Sequence, residues 1–427
     1  MSASFADFLS TYQPTSFDSL VATLREHEPL VRVVSQEDLF MLKHIGRDES
    51  LTPFMRATRG LIGSKLTLEV VAPGVPMAVT PGAETDRTLL ESLESDPEQP
   101  VQIAPVVDGV TFRLYYVNES QSNEPGWYYS TTGMIYPNRG WRGIHTFADL
   151  FVTHFDERLS LGLDSPLNQE YCYFLTLACP EHHNVVHYEN NWAVITQITG
   201  RDGLVLPLDQ TSEEVRRLNA AVDGWVELAK GEQEDRSEPP LFEFIWQVQP
   251  AHQVAQTIQA PRMRDPSGPC ALAGYQINLA GASYRVESES YKAASQLRTN
   301  KPDLLEIWAS YLSNRDRMND YLEYFPSDQP RFLQFHRQLR DLAAKLHKMY
   351  GLKYRRRQEI TCSSRHELVT LRRIHGMYIE RCATDNRHPI TYQDVEQYLY
   401  HLPAPVIRCL LRPPAEGVLG EQTAMRA

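Results

Sequence analysis

Lysine is scarce in this chain. Among its 427 residues, lysine occurs at eight positions, and the rest of the 42 basic residues are arginines. No lysine lies between Lys65 and Lys230. Because an arginine side chain stays protonated in proteins, it cannot take the place of a lysine amine as a nucleophile. Chemistry that needs a lysine nucleophile within this stretch is therefore excluded.

Cysteine pairs and long apolar segments are also missing. The six cysteines have no CxxC pair and no zinc-like spacing, so we expect reduced thiols and no metal site. The apolar run from Val70 to Val79 is broken by Pro and Gly, and a membrane span needs roughly 20 apolar residues. The first residues lack the basic region and apolar stretch of a secretion signal. These absences predict a cytoplasmic protein with no membrane segment.

The charge balance is acidic. A net charge of −12 argues against a protein that coats nucleic acid without sequence preference, although it permits a local basic groove. The length fits two domains, and 42% hydrophobic residues with 10% aromatics are typical of a globular protein.

Apolar residues alternate with period two over much of residues 56 to 205, which predicts short strands. A helix is predicted before them at Phe17–Glu26, and another at Gln36–Leu42. A helix or surface excursion is predicted from Thr80 to Pro100. The predicted strands are Gly60–Ile62, Glu69–Val71, Val110–Val117, Trp127–Thr131, Tyr171–Cys179, Val185–Tyr188, Trp192–Ile198, Ala273–Leu279 and Ser283–Glu287.

Beyond about residue 300 the period becomes helical. Apolar residues recur at steps of three and four, forming one stripe that predicts core packing; they are Phe332, Phe335, Leu339, Leu342, Leu346 and Met349. Further helices are predicted at 365–382 and 392–403, the second opened by Thr391, and Pro403 and Pro405 are expected to end the fold. The predicted class is α+β: an antiparallel β-rich domain at 1–295, an all-helical domain at 296–412 and a tail at 413–427.

The segment Val106-Val107-Asp108-Gly109, followed by an apolar strand, resembles the Lys-x-Asp-Gly motif of the ATP-dependent RNA ligases of phage tRNA repair. Four further segments resemble motifs of this family in the same order along the chain. They are Arg59-Gly60-Leu61-Ile62, Tyr128 to Ile135, Phe174 to Val186, and Ala273-Gly274-Tyr275 together with Tyr284 to Ser288. The resemblance covers roughly residues 30 to 410. It implies a covalent nucleotidyltransferase fold, with ATP and Mg²⁺ as the cofactors of an active member.

The residues that would perform the family's chemistry are replaced in this chain. Val106 stands where the lysine nucleophile would attack the ATP α-phosphate, and valine has no atom able to do so. Thr176 and Ala273 stand in place of two glutamates, and Glu287 in place of a phosphate-binding lysine. A carboxylate about 4 Å from a phosphate is repelled by about 4 kcal/mol at an effective dielectric near 20. The motifs are therefore degenerate, and we expect neither catalysis nor a bound cofactor.

Other motif residues are retained. Arg59, Asp108, Gly109 and Arg285 are the nucleotide-binding candidates that the resemblance implies. The alternative for Arg59 and Asp108 is structural, with the two side chains pairing with one another or with backbone. Arg201-Asp202-Gly203 superficially resembles a nucleotide motif, but its position after a strand favours a hairpin turn. The adjacent His182 and His183 favour an exposed loop over a metal site.

A basic segment with an aromatic residue lies in the helical part of the chain. Lys353-Tyr354-Arg355-Arg356-Arg357, with Arg365, Arg372 and Arg373 after it, is a candidate RNA-binding segment, because cations grip phosphates while rings stack on bases. A solvated helix edge, or a docking patch for an acidic protein, is an equal alternative.

Three functions follow from these features. The leading hypothesis is a catalytically inactive ligase-like protein that binds RNA or works within a ribonucleoprotein complex. The second is a structural or assembly subunit with protein partners, for which the fold supplies surfaces. The third is a divergent enzyme that binds a nucleotide or an RNA 5′ end without a covalent intermediate.

Overall fold

A computed structural model describes most of the chain. The described residues are 4–45, 52–75, 83–122, 124–138, 146–152, 167–178, 184–188, 192–206, 213–214, 217, 243–260, 269–279, 282–299, 303–383 and 388–412. They divide into two units. The first unit comprises Met1–Pro266 and Cys270–Lys292, and the second comprises Ser267–Pro269 and Ala293–Ala427. His182 and His183 lie outside the described residues.

The first unit begins with helices and a four-stranded antiparallel sheet. The elements are α1 (Phe5–Tyr12), α2 (Phe17–His27), β1 (Val31–Gln36), β2 (Leu39–His44), α3 (Pro53–Ala57), β3 (Ile62–Ser64) and β4 (Val70–Ala72), with the strands in chain order across the sheet. The predicted helix at Gln36–Leu42 is wrong. Residues 39–42 are all buried, so β2 is a continuous apolar run, and such a run does not distinguish a helix from a strand covered on both faces.

A five-stranded sheet forms the centre of the first unit. Its strands lie in the order β10-β9-β8-β6-β7. Their bounds are β6 (Val110–Val117), β7 (Gly126–Thr131), β8 (Tyr171–Ala178), β9 (Trp192–Gly200) and β10 (Glu243–Phe244), and β10 alone of these pairs in parallel. One face packs on α5 (Phe147–Phe151), where the ring of Phe151 stacks on Tyr129 with centroids 4.0 Å apart. The predicted strand at Val110–Val117 is confirmed.

A second four-stranded sheet, in the order β11-β5-β12-β13, completes the first unit. Its strands are β5 (Pro100–Pro105), β11 (Gln247–Pro250), β12 (Gly274–Leu279) and β13 (Ala282–Glu287), and the helices on it are α4 (Ala83–Ser95) and α6 (Ala251–Gln259). Leu93, Val254 and Ile277 belong to the buried apolar cluster between these helices and the sheet. Because β5 belongs to this sheet and β6 to the five-stranded sheet, residues 106–109 connect the two.

The second unit is helical. After α7 (Glu289–Arg298), which crosses the division between the units, come α8 (Leu304–Tyr311), α9 (Arg315–Tyr324), α10 (Gln329–Tyr350), α11 (Arg365–Ala383), α12 (Tyr392–Tyr400) and α13 (Ala404–Leu411). All six residues of the predicted apolar stripe are buried on α10, which confirms the helical period. The chain is thus a mixture of helices and antiparallel sheets with a helical C-terminal region.

Two further predictions of secondary structure are corrected. The predicted helix at 392–403 ends at Tyr400. Pro403 and Pro405 do not end the fold: Pro403 is the N-cap residue of α13 and Pro405 lies in its first turn, because a proline without a backbone N–H is tolerated at a helix start. Residues 185–188 form a loop instead of the predicted strand, and hydrogen bonds to a side chain hold that loop. No helix in the described ranges is long and apolar enough to cross a membrane.

Candidate functional site

Val106 lies at the connection between β5, in the second four-stranded sheet, and β6, in the five-stranded sheet. Its backbone N–H donates to the carbonyl of Gly274 at 2.9 Å, which extends the pairing of β5 with β12 by one residue. The side chain is half-buried and carries only methyl groups. The position predicted for the nucleophile is therefore fixed by backbone bonding, but it presents no atom that can attack phosphorus.

The carboxylate of Asp108 is hydrogen-bonded to the loop at 184–188. One oxygen, Oδ2, accepts the backbone N–H groups of Val185 at 2.6 Å and Val186 at 3.0 Å. Bonds of this kind to a charged acceptor are among the stronger hydrogen bonds in proteins. The structural alternative for Asp108 was a bond either to Arg59 or to backbone, and the structure shows bonds to backbone N–H groups. The motif that contains Asp108 thus holds in place the later motif that contains Val185 and Val186.

Two tyrosines that the sequence did not point to complete the surroundings of Asp108. The backbone N–H of Asp108 donates to the hydroxyl of Tyr188 at 2.9 Å, and the hydroxyl of Tyr291 donates to the Oδ1 atom of Asp108 at 3.3 Å. Burial raises the pKa of Tyr188; the hydrogen bond from the backbone of Asp108 lowers it in part, and the charge of Asp108 raises it. Burial followed by the charge of Asp108 also raises the pKa of Tyr291. Both hydroxyls therefore stay protonated at neutral pH.

Arg285 and Glu287 form an ion pair on β13. The Nε atom of Arg285 lies 3.1 Å from an oxygen of Glu287, although the angle does not make a hydrogen bond. The guanidinium also lies over the ring of Tyr291, 5.7 Å from its centroid. Each charge therefore offsets the other. The predicted repulsion between Glu287 and a phosphate is weakened by this pairing, and the positive charge of Arg285 is equally committed within the protein.

Thr176 and Ala273 occupy buried positions. The hydroxyl of Thr176 lies 3.3 Å from that of Thr111, its partner across β6 and β8, and Ala273 is 1% exposed. Neither residue supplies a carboxylate that could bind a metal ion or a sugar hydroxyl. In the described part of the chain, no three or more His, Cys, Asp or Glu side chains are grouped so that they could hold a metal.

Arg113, which sequence reasoning missed, is a buried cation on β6. Its side chain is 1% exposed and donates to the carbonyl of Pro73 at 2.7 Å and to the hydroxyl of Ser130 at 3.1 and 3.2 Å. Burial lowers the pKa of the guanidinium, but arginine stays charged in proteins. A single arginine within the apolar strand VTFRLYYV is the signal that could have identified it. Its hydrogen bonds go to neutral oxygens.

Arg59 is an exposed residue of the first unit. Its side chain is exposed at the turn before β3, where Gly60 has a φ of 69° and a Cβ at that position would lie 3.1 Å from the carbonyl oxygen of Thr132. Burial, and secondarily the charge of Arg59, lower the pKa of the nearby His44 to about 4. The structure therefore brings the Arg59 turn against the turn after β7. It brings Val106, Asp108, Arg285 and Glu287 together through Gly274 and Tyr291.

The glycine of the Arg201-Asp202-Gly203 segment lies in a hairpin turn, as predicted. Gly203 has a φ of 85° and donates its N–H to Gly200, while the carboxylate of Asp202 accepts the N–H of Leu204 at 3.0 Å. These bonds are internal to the turn and are those of a hairpin.

In the second unit, the predicted basic segment forms a wide helical turn after α10. The N–H of Arg356 donates to the carbonyl of Gly351, five residues back, which is the bonding of a π-helix and is frequent at functional sites. Arg355 anchors the turn, since its guanidinium donates to the carbonyl of Ile390 at 2.6 Å. Arg356 and Arg357 are exposed, and Lys353 and Tyr354 are half-buried.

Comparisons with known proteins give a weak likeness to nucleic-acid ligases. No family model matches the chain, and no curated protein matches its sequence. Similar solved structures are ATP-dependent RNA and DNA ligases. An archaeal ATP-dependent RNA ligase is 12% identical with a TM-score of 0.42, over 79% of this chain and 82% of that one. A putative ATP-dependent DNA ligase from Aquifex aeolicus is 14% identical with a TM-score of 0.38, over 71% of each chain. An RNA ligase from Naegleria gruberi is 14% identical with a TM-score of 0.31, over 54% of this chain and 62% of that one. Likenesses of this strength assign neither a family nor a function.

Proposed function

We propose that this protein is a catalytically inactive RNA ligase-like protein that acts by binding RNA. The observation that carries the proposal is Val106 at the position of the nucleophile, in a stretch of sequence without lysine from residue 66 to 229. The family's first step makes a covalent bond between a lysine amine and AMP. No amine is present to make it, and arginine cannot take its place.

The surroundings of Val106 support the same proposal. The carboxylate of Asp108 accepts hydrogen bonds from backbone N–H groups and from Tyr291, and Arg285 is paired with Glu287. Groups that would serve a nucleotide in an active member are thus bonded within the protein. In a protein that binds but no longer catalyses, we expect the reactive residues to be replaced while the backbone contacts around them are kept.

RNA binding is proposed for the basic segment of the second unit. Arg356 and Arg357 are exposed, and so are Arg372 and Arg373 on α11. Exposed guanidinium groups close to one another bind phosphates and release counterions, which makes binding sensitive to salt. Arg355 belongs to the structure of the turn through its bond to Ile390, so Arg356 and Arg357 are the better residues to test.

Filter binding of the full chain to single-stranded RNA at several salt concentrations tests this proposal. Replacing Arg356 and Arg357 with glutamine is expected to lower the slope of log affinity against log salt by about 1.4, since each lost phosphate contact removes about 0.7 on a single strand. Arg331→Gln with Arg337→Gln removes the same charge from exposed positions on α10, at least about 20 Å along the helix from the segment. This control is expected to keep the wild-type slope.

Absence of salt-sensitive binding in the wild-type chain would contradict RNA binding and favour the alternative of an assembly subunit with protein partners. The proposal has three further parts. The chain is of the phage type, residues 1–295 are a degenerate ligase domain and 296–412 a helical domain, and the protein is cytoplasmic.

A further inference from the structure

Three aromatic side chains of the second unit lie nearly parallel beside the basic segment. The rings of Tyr354 and His375 are stacked with centroids 3.9 Å apart and an angle of 14° between their planes. The ring of Tyr378 follows at 6.2 Å from His375, at 18°. All three side chains are half-exposed, so this aromatic row (Tyr354, His375 and Tyr378) is in contact with solvent.

The backbone explains how the row forms. Tyr354 lies in the π-helical turn after α10, whereas His375 and Tyr378 are three residues apart on α11 and therefore on the same side of that helix. The bond from Arg355 to the carbonyl of Ile390 fixes the turn that carries Tyr354. Two segments therefore contribute the rings of the row, and the bond from Arg355 to Ile390 holds the segment that carries Tyr354.

Cations surround the row. The ammonium of Lys353 lies 5.7 Å from the centroid of Tyr354. Arg372 is exposed three residues before His375 on the same helix, and Arg356 and Arg357 are exposed two and three residues after Tyr354. In a chain of net charge −12, positive side chains therefore lie close in sequence to rings that are in part exposed.

We propose that the aromatic row is a stacking platform for unpaired bases of a single-stranded RNA, with the neighbouring arginines contacting its phosphates. This inference rests on the proposed RNA binding and names the class of RNA and the residues that recognise it. Rings accept the faces of unpaired bases but not of bases inside a duplex, and stacking tolerates every base because each has a flat face. Parallel rings favour planar bases over the carboxylates of an acidic protein.

The test compares two labelled strands of equal length and charge by fluorescence anisotropy with the full chain. One strand is polyuridylate, and the other has the same ribose-phosphate backbone without bases. We expect wild-type protein to bind polyuridylate about tenfold more tightly or better, because stacking contributes roughly five- to 150-fold per base. Tyr354→Leu with His375→Leu is expected to abolish the difference between the strands, whereas Tyr354→Phe, which keeps the ring, is expected to preserve it.

The two proposals fail in different ways. If the wild-type chain binds neither strand, RNA binding itself is wrong. If it binds both strands equally with the salt dependence described above, RNA binding stands and the stacking platform is wrong. This comparison uses the wild-type chain alone, so it holds even if a leucine variant does not fold. Polyglutamate that binds as tightly as polyuridylate would identify a docking surface for an acidic protein and would also overturn the platform.

Discussion

Replacing Gly274 with alanine is expected to lower the free energy of unfolding by about 3 kcal/mol or more. Gly274 opens β12 with a φ of 143°, a conformation that L side chains rarely adopt. A Cβ at this position would lie 2.1 Å from the carbonyl oxygen of Val286 on the paired strand β13. That oxygen is backbone and cannot rotate away, so the sheet itself would have to shift. The carbonyl of Gly274 also accepts the N–H of Val106, and the shift would reach the candidate site.

Gly133→Ala is the matched control for this change, and urea unfolding followed by circular dichroism measures both variants. A Cβ at Gly133 would meet no atom within 4 Å, so we expect a change within about 0.5 kcal/mol. Equal unfolding midpoints for Gly274→Ala and the wild type would show that β12 and β13 are not packed as described.

Replacing Asp108 with alanine is expected to lower the free energy of unfolding by about 3 kcal/mol, because it leaves the N–H groups of Val185 and Val186 without their charged acceptor. Asp108→Asn keeps an oxygen for these donors and can receive or donate a bond at Tyr291, so we expect a loss of only about 1 kcal/mol. This contrast distinguishes a structural carboxylate from one that is retained to bind a nucleotide.

Asp202→Ala controls for the loss of a carboxylate that accepts a backbone N–H in an exposed turn, and we expect it to cost less than about 1 kcal/mol. Hydrogen exchange at Val185 and Val186 adds a local readout, since both amides should lose protection in Asp108→Ala. Unchanged stability and protection in that variant would contradict the structural role of Asp108.

The sequence predicted best those elements, such as α10, that pack on the core with one side, because their apolar residues then recur at a regular spacing. The stripe on α10 faces the core of the helical unit, so its spacing alone indicated six of the eight residues that are buried on this helix. β6 is buried on both faces, but it was found at both ends because turn residues flank its apolar run. Propensity and periodicity describe such elements well, since their neighbours add nothing that conflicts with the local pattern.

Other elements depend on partners that are distant in sequence. β2 is buried on both faces and lost the alternation that marks a strand. The loop at 184–188 contains apolar residues, yet its N–H groups bond to Asp108, some 77 residues earlier in the chain, instead of to a neighbouring strand. Pro403 was interpreted as the end of the fold, but a proline is equally compatible with the start of a helix, and here it precedes α13.

The sequence named the residues of the candidate site but did not indicate their bonding. The resemblance predicts which residues stand at the reactive positions, because that needs only the order of the motifs. It did not indicate that Glu287 is offset by Arg285, that Tyr188 and Tyr291 enclose Asp108, or that Arg113 is buried on β6. The Arg285–Glu287 pair lies within β13, whereas the others join residues that are distant in the sequence; a single sequence states neither kind of distance.

The proposal that this chain forms no covalent bond with AMP is tested most directly by the intact mass of the full chain after incubation with ATP and Mg²⁺ and then denaturation. An active ATP-dependent RNA ligase carried through the same steps serves as the control for detection. We predict that this protein keeps its unmodified mass, because Val106 offers no amine and no lysine lies near it in the sequence. A fraction of the chain carrying AMP through denaturation would contradict the proposal that it is catalytically inactive.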